Sequence, residues 1–215
     1  MKVKVIRKFG ETGPFAAAVQ YITVPFVPLL AKIFRDPNRI TLMNLVLVPI
    51  MLVALMTGKL VLAAIFSLLF MYIDNCDGYV ARYLNKTSKL GALLDALTDY
   101  LFWLSIIVGL YLYQPSVIYV VLLGIGGVDL YLRYLTGIEV EHSEDLYANA
   151  GTSFVKKIYK SFACFGNTMT LLAVILLISP KYLFVFWIFE LTRVSIATLL
   201  RVGRFIKFLK KCDAK

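Results

Sequence analysis

Four aspartates lie close together in a part of the chain that otherwise reads as apolar, membrane-spanning sequence. They are Asp74, Asp77, Asp95 and Asp99. A carboxylate at membrane depth is costly, so a cluster of four needs a strong partner. Hard divalent cations are the usual partners of clustered carboxylate oxygens. The cluster therefore predicts a divalent metal site within a helical membrane protein.

The spacing of the residues around these aspartates predicts two helical faces joined by a short polar turn at 85–89. Helical periodicity puts residues three, four, seven and eight positions apart on one face. The first face carries Asp74, Asp77, Gly78, Ala81 and Arg82, and the second carries Gly91, Asp95 and Asp99. We expect the two helices to pack antiparallel with their acidic faces opposed. The small residues would leave room for a bulky ligand beside the metal.

The stretch from Asp74 to Asp99 has the pattern D-x-x-D-G-x-x-A-R, then G-x-x-x-D-x-x-x-D. At every defined position it resembles the signature of the CDP-alcohol phosphotransferase (CDP-alcohol phosphatidyltransferase) family of integral membrane enzymes. The resemblance implies an all-α fold of six transmembrane helices behind an amphipathic juxtamembrane helix, commonly as a homodimer. It also implies Mg²⁺ or Mn²⁺ as the cofactor.

Residue roles follow from the same resemblance. It implies that Asp74, Asp77, Asp95 and Asp99 are the metal ligands and that Asp99 is also the catalytic general base. It implies a nucleotide-binding surface made by Gly78, Ala81, Arg82 and Gly91.

Composition independently indicates a membrane protein. Hydrophobic residues make up 60% of the 215 positions, charged residues only 17%, and the mean hydropathy is +0.79. These values differ from those of an ordinary soluble domain. Six apolar stretches can be drawn, and several of them are long enough to span a bilayer, although the second, third and sixth carry charges on one face. They are 40–57, 60–83, 91–113, 116–136, 160–179 and 182–203.

The distribution of basic residues orients these six stretches. Of the 23 lysines and arginines, only Lys59 and Lys181 lie in the loops on the side opposite the N terminus. The positive-inside rule then predicts that both termini and the acidic site are cytoplasmic. We divide the chain into a cytoplasmic and juxtamembrane segment (1–39), a six-helix catalytic domain (40–205) and a basic cytoplasmic tail (206–215).

The segment 14–36 precedes the first predicted span. It mixes apolar and small residues with Lys32 and Arg35, and Pro25 and Pro28 interrupt a straight helix. We expect a kinked amphipathic segment on the cytoplasmic surface, serving either as a simple anchor or near the substrate. The residues Pro37 to Thr41 resemble the P-N-x-I-T sequence that opens the first span in the family, which makes Asn38 and Thr41 weak candidates for lining the site.

Several basic residues are candidates for binding the acceptor substrate. Arg133 lies four residues after Asp129 and Arg193 three after Glu190, so each pair is either a helix ion pair or a phosphate-binding group. Lys156 and Lys157 precede the fifth stretch and join this candidate set. Relatives that accept phosphorylated polyols often carry Lys or Arg after the last motif aspartate, where this chain has Tyr100. The sequence therefore leaves the acceptor open.

The resemblance implies transfer of a phosphatidyl group from a CDP-linked lipid, CDP-diacylglycerol, to a small alcohol with release of CMP. The acceptor is a phosphorylated polyol (inositol phosphate or glycerol phosphate) or, alternatively, inositol or serine. The rival classes are an Mg²⁺-dependent intramembrane prenyltransferase and a cation transporter. The net charge is +10, and the basic residues border apolar spans. This arrangement favours membrane lipids as partners and argues against a nucleic acid.

Overall fold

The computed structural model describes residues 21–142 and 165–213, and this part of the chain contains helices and turns without strands. After a 3₁₀ turn (Val24–Phe26) the α-helices are α1 (Val27–Ile33), α2 (Pro37–Leu45), α3 (Leu47–Met56), α4 (Leu60–Tyr83), α5 (Lys89–Tyr113), α6 (Val117–His142) and α7 (Phe165–Ile178). A second 3₁₀ turn (Pro180–Tyr182) leads into α8 (Leu183–Asp213). The expected all-helical class is confirmed for these residues.

Three segments are long and apolar enough to cross a membrane. They are Pro37–Met56, which comprises α2 and α3, Leu60–Tyr83 and Leu90–Tyr113. They agree with the first three predicted spans. The apolar parts of the later helices are shorter within the described residues, at Val117–Tyr131 and Met169–Ile178. A total of six spans therefore stays a prediction.

Prolines shape the start of the described chain. Pro25 lies in the first turn of Val24–Phe26 and Pro28 in the first turn of α1, where the missing N–H would have no helical partner. As expected from these prolines, the α-helix is interrupted, in this case by the 3₁₀ turn Val24–Phe26. On α1, Val27 and Ala31 are buried against Tyr79 and Val80 of α4. The first part of the predicted segment 14–36 lies outside the described residues.

The first span is interrupted at Val46 between α2 and α3. Pro49 explains the break, because proline has no N–H to donate to the Leu45 carbonyl and its ring crowds that group. At the start of α2, the Asp36 carboxylate accepts a hydrogen bond from the Asn38 backbone N–H at 3.0 Å. This cap fixes where the helix begins.

Two of the helices are followed by a residue in the left-handed backbone conformation. Gly58, with φ +68°, follows α3, and Asn85, with φ +53°, follows α4. In both turns the next residue donates back to the last helical turn, with Lys59 N to Ala54 O and Lys86 N to Ala81 O both at 2.8 Å. Glycine and asparagine are the residues that best tolerate this conformation. The chain therefore reverses sharply directly after the first motif helix.

Close packing in the middle of the bundle sets the helix positions. The rings of Phe70 on α4 and Phe102 on α5 stack with centroids 3.8 Å apart. A Cβ atom added to Gly109 on α5 would lie 2.8 Å from the Leu55 Cβ on α3. Small residues that allow such close approach are typical of helix contacts in membranes. Helix α7 packs on α4, and α8 packs on α6.

Candidate active site

The two helices that carry the motif aspartates, α4 and α5, both lie against the segment Pro37–Met56. Each packs more extensively on that segment than on the other motif helix. This differs from the expected direct packing of two acidic faces. The segment Pro37–Met56 lies against both motif helices, so it keeps their backbones from packing closely on each other. Side chains, rather than backbones, therefore meet between α4 and α5.

The four aspartates nevertheless come together. The Asp74 carboxylate interacts electrostatically with Asp99, Asp95 and Asp77, and it lies within hydrogen-bonding reach of Asp95. Asp77 is buried, while the other three side chains are partly exposed. A partly exposed group retains access to substrate and ions. The structure thus groups two carboxylates from each motif helix in one acidic cluster.

Thr41 on α2 ties this cluster to the first span. Its hydroxyl donates a hydrogen bond to Asp77 Oδ2, and both side chains are buried. One turn later, Asn44 Nδ2 donates to the Phe70 backbone carbonyl at 3.3 Å. Charged acceptors make the stronger hydrogen bonds. Thr41, a weak candidate from sequence, therefore contacts the cluster directly.

The four carboxylates do not form a metal coordination shell in this arrangement. In the described part of the chain, no group of three or more His, Cys, Asp or Glu side chains is placed so that it could hold a metal ion. Two of the motif carboxylates instead face neighbours, Asp77 towards Thr41 and Asp74 towards Asp95. The donor set still suits a hard divalent cation, because all four groups are carboxylates and they repel each other.

The first small-residue position, Gly78, is covered by Arg82. A Cβ atom at Gly78 would lie 3.5 Å from Arg82 Nη1. The guanidinium carbon also lies 4.9 Å from the centroid of the Tyr79 ring, in a cation–π arrangement. Ala81, one turn along from Gly78, is partly exposed. The space predicted at Gly78 is thus occupied by the motif arginine itself.

The second small-residue position, Gly91, faces the start of the first span. A Cβ atom there would lie 3.0 Å from Asn38 Oδ1 and 3.1 Å from Ser88 Oγ. Ser88 caps α5 by accepting a hydrogen bond from the Gly91 backbone N–H at 3.0 Å. Asn38, Gly91 and the acidic cluster therefore lie along the same end of the bundle.

The acceptor candidates divide into those the structure places and those it does not. Arg193 is buried and donates from Nε to Glu190 Oε2 at 2.8 Å and from Nη2 to Glu190 Oε1. Glu190 is also fully buried, so this is not a surface ion pair. The side chain of Arg133, and the whole of Lys156 and Lys157, lie outside the described residues.

One member of this region was not predicted from sequence. Trp103 on α5 donates from Nε1 to Glu190 Oε1 at 2.7 Å. It follows Gly91, Asp95 and Asp99 at the same four-residue spacing. That spacing places Trp103 on the motif face of α5, so helical periodicity could have identified it from the sequence.

Two comparisons with known proteins bear on this site. A family model described as CDP-alcohol phosphatidyltransferase matches residues 34–199, which includes both motif helices, and confirms the resemblance drawn from the motif. A phosphatidylinositol phosphate synthase of Corynebacterium glutamicum is 40% identical over 81 residues. That alignment spans 37% of this chain and 37% of the relative.

Proposed function

Since the chain belongs to the CDP-alcohol phosphatidyltransferase family, we propose that it transfers a phosphatidyl group from CDP-diacylglycerol to the hydroxyl of a small polar alcohol, releasing CMP. The observation that carries this proposal is the acidic cluster, in which two motif helices bring four carboxylates together beside Thr41. Such a cluster suits a polyanionic substrate only when a cation accompanies it.

We assign Asp74, Asp77, Asp95 and Asp99 as the ligands of Mg²⁺ or Mn²⁺. When bound, divalent cations would neutralise charge on the pyrophosphate and make CMP a better leaving group. To hold the ion, Asp77 would have to release Thr41, and Asp74 would have to release Asp95. Their mutual repulsion supports this assignment, because a bound cation would relieve it.

The donor's nucleotide is assigned to the surface made by Gly78, Ala81, Arg82 and Gly91. Arg82 now lies over Gly78, so the guanidinium must move as the nucleotide enters. From its new position it contacts the donor as a cationic hydrogen-bond donor. Asn38, next to Gly91, adds a polar group at the other edge.

The chemistry is a direct displacement. Asp99 takes the proton from the acceptor hydroxyl. The hydroxyl oxygen of the acceptor bonds to the phosphorus that carries the lipid, and the bond from that phosphorus to the CMP oxygen breaks. The products are a phosphodiester and CMP, and no covalent enzyme intermediate is needed. Asp99 would be a ligand and a base at once, which a partly exposed carboxylate at the edge of the cluster allows.

For the acceptor we propose a phosphorylated polyol, inositol phosphate or glycerol phosphate. The name of the Corynebacterium relative supports a phosphorylated inositol. A guanidinium has five N–H donors, and Glu190 receives two of those on Arg193, so three remain for a phosphate. Arg133, Lys156 and Lys157 complete the proposed acceptor set. The alternative, inositol or serine, is favoured by Tyr100, which follows Asp99 where a Lys or Arg is expected for a phosphorylated acceptor.

The membrane arrangement is also proposed. Six spans with both termini and the site in the cytoplasm agree with the three established apolar helices and with the positions of Lys59 and Lys181. The division into residues 1–39, 40–205 and 206–215 and the homodimer belong to the same proposal. Exposed apolar side chains on α1, such as Leu29 and Ile33, suit contact with lipid.

The test is a CMP-release assay with purified protein, CDP-diacylglycerol, Mg²⁺ and one acceptor at a time. Acceptors are inositol phosphate, glycerol 3-phosphate, inositol and serine. We expect CMP release that stops on chelation with EDTA and returns when Mg²⁺ is restored. Turnover of an isoprenyl diphosphate without a CDP donor would indicate a prenyltransferase, and ion flux without CMP release a transporter.

A further inference from the structure

The buried Glu190 on α8 joins two donors from different helices. Its Oε1 accepts a hydrogen bond from Trp103 Nε1 on α5 and another from Arg193 Nη2, while Oε2 accepts from Arg193 Nε. None of the three side chains is more than 6% exposed. Glu190 therefore holds the indole of one helix and the guanidinium of another in a single arrangement.

Stability alone is a weak reason for such an arrangement. Replacing a buried ion pair by apolar side chains of similar volume is often neutral or stabilising, and charges in apolar helices are costly. The location suggests a different reason. Trp103 follows Asp99 by one helical turn, and Arg193 is close enough to Asp99 and Asp129 to interact with both electrostatically.

The geometry of Arg193 leaves part of it available. Glu190 receives the Nε–H and one Nη2–H, which is the forked contact that orients a planar guanidinium. The three other N–H groups are then held in a defined direction. An arginine whose orientation is set in advance loses less entropy when it binds an anionic ligand.

We propose that Glu190 and Trp103 are positioning residues for the acceptor. Glu190 fixes the orientation of Arg193 so that the remaining donors of the guanidinium bind the anionic group of a phosphorylated acceptor, and Trp103 holds Glu190. This inference rests on the proposed phosphatidyl transfer. It adds two residues, on α5 and α8, that touch neither donor nor acceptor.

The test is steady-state kinetics of Trp103→Phe and Glu190→Gln with CDP-diacylglycerol and inositol phosphate. Trp103→Phe removes the indole donor and leaves the ion pair, whereas Glu190→Gln keeps an oxygen for the indole and removes the charge. We expect the KM for inositol phosphate to rise about 10-fold in each variant, with donor KM and kcat changed less than about twofold. With unphosphorylated inositol, KM should not change.

Trp187→Phe is the matched control. Trp187 lies on α8 and packs edge-on against Tyr119, with ring centroids 5.4 Å apart. Its loss removes an indole of the same size whose Nε1 donates no hydrogen bond to Glu190, so the KM for inositol phosphate should stay at the wild-type value. An equal rise in this control would overturn the inference.

The chain has two tryptophans, so Trp187→Phe also leaves Trp103 as the single indole. In that protein, one ultraviolet resonance Raman band reports the hydrogen bond of the indole N–H. When Glu190→Gln is added, we expect this band to move to the position of a weaker hydrogen bond. Lower melting temperatures with unchanged KM values, or no Raman shift, would overturn the positioning role. Wild-type protein that releases no CMP with any acceptor would instead remove the proposed function and this inference with it.

Discussion

At the residue scale, the four motif aspartates have different surroundings. Asp77 is buried beneath Thr41, Asp74 meets Asp95, and Asp99 lies within the electrostatic reach of Arg193. Identical side chains in different surroundings take different roles, because solvent access and neighbouring charge decide which can bind an ion or a proton. The assignments can therefore be separated by single substitutions.

Loss of one proposed ligand should abolish most of the activity. We expect Asp77→Ala or Asp95→Ala to lower CMP release by about 100-fold or more, since the remaining carboxylates then repel each other and the pyrophosphate. The control is Asp36→Asn, an exposed carboxylate whose helix cap an asparagine can replace. A well-folded Asp77→Ala protein with near-normal turnover would contradict the metal assignment.

The substitution Asp99→Asn should distinguish the role of Asp99 as general base from its role as metal ligand. The amide keeps the shape and one oxygen for coordination but accepts no proton, so donor binding should persist while transfer falls by about 100-fold or more. Calorimetric titration of CDP-diacylglycerol into protein in nanodiscs measures the binding. Donor binding lost together with catalysis would make Asp99 chiefly a ligand.

Gly91→Leu should weaken donor binding, because even its Cβ atom would lie 3.0 Å from Asn38 Oδ1 and leave no space for a branched side chain. We expect the donor KM to rise about 10-fold or more, as for loss of one good contact. Gly124→Leu is the control, since nothing lies within 4 Å of its Cβ position. Equal donor KM values in the two variants would place the nucleotide elsewhere.

At the element scale, α5 is the helix on which most of the site depends. Its N-terminal half carries Gly91, Asp95 and Asp99, and its middle carries Trp103, which contacts α8 through Glu190. Trp103 also fills the notch at Gly126 on α6, where an added Cβ would lie 2.2 Å from Cη2 of the indole. The tilt of α5 is thus set by two other helices.

Gly126→Ala should test this contact. The methyl group must displace the indole, so we expect the protein to lose about 1–3 kcal/mol of stability, the usual cost of overpacking. Gly127→Ala, on the same helix with nothing within 4 Å of its Cβ position, is the control. Thermal unfolding in detergent compares the two variants. Equal melting temperatures would show that the contact between Trp103 and Gly126 contributes little to stability.

At the scale of the whole molecule, topology decides which compartment supplies the substrates. The turn after α3 holds Lys59 and the turn before α8 holds Lys181, whereas most basic residues lie towards the other side. Positive charge is retained on the cytoplasmic side of a membrane. In the proposed six-span topology, CDP-linked donors and polar acceptors would reach the acidic cluster from the cytoplasm.

Labelling with a membrane-impermeant maleimide can check this orientation. In intact cells we expect Lys59→Cys and Lys181→Cys to be labelled from outside, while the native Cys212 in the basic tail reacts only after permeabilisation. A variant with neither new cysteine measures the background. Labelling of Cys212 in intact cells would reverse the proposed topology.

Local properties of the sequence account for the helical class, the first three apolar segments and the grouping of the four aspartates. Local causes suffice there, since apolar runs in lipid form helices, Pro49 and the left-handed Asn85 set where two of them end, and helical periodicity puts Asp95 and Asp99 on one face. These properties depend on residues within a few positions of each other, so a motif can display them.

The contacts between side chains on different helices depend on the packing of the whole bundle. The Thr41–Asp77 bond joins residues 36 positions apart and the Trp103–Glu190 bond residues 87 apart. Helix spacing and tilt, set by small residues such as Gly109 and Gly126, determine such contacts, and periodicity along one helix carries no information about them. For the same reason, sequence predicted open space at Gly78, whereas the fold places Arg82 over it.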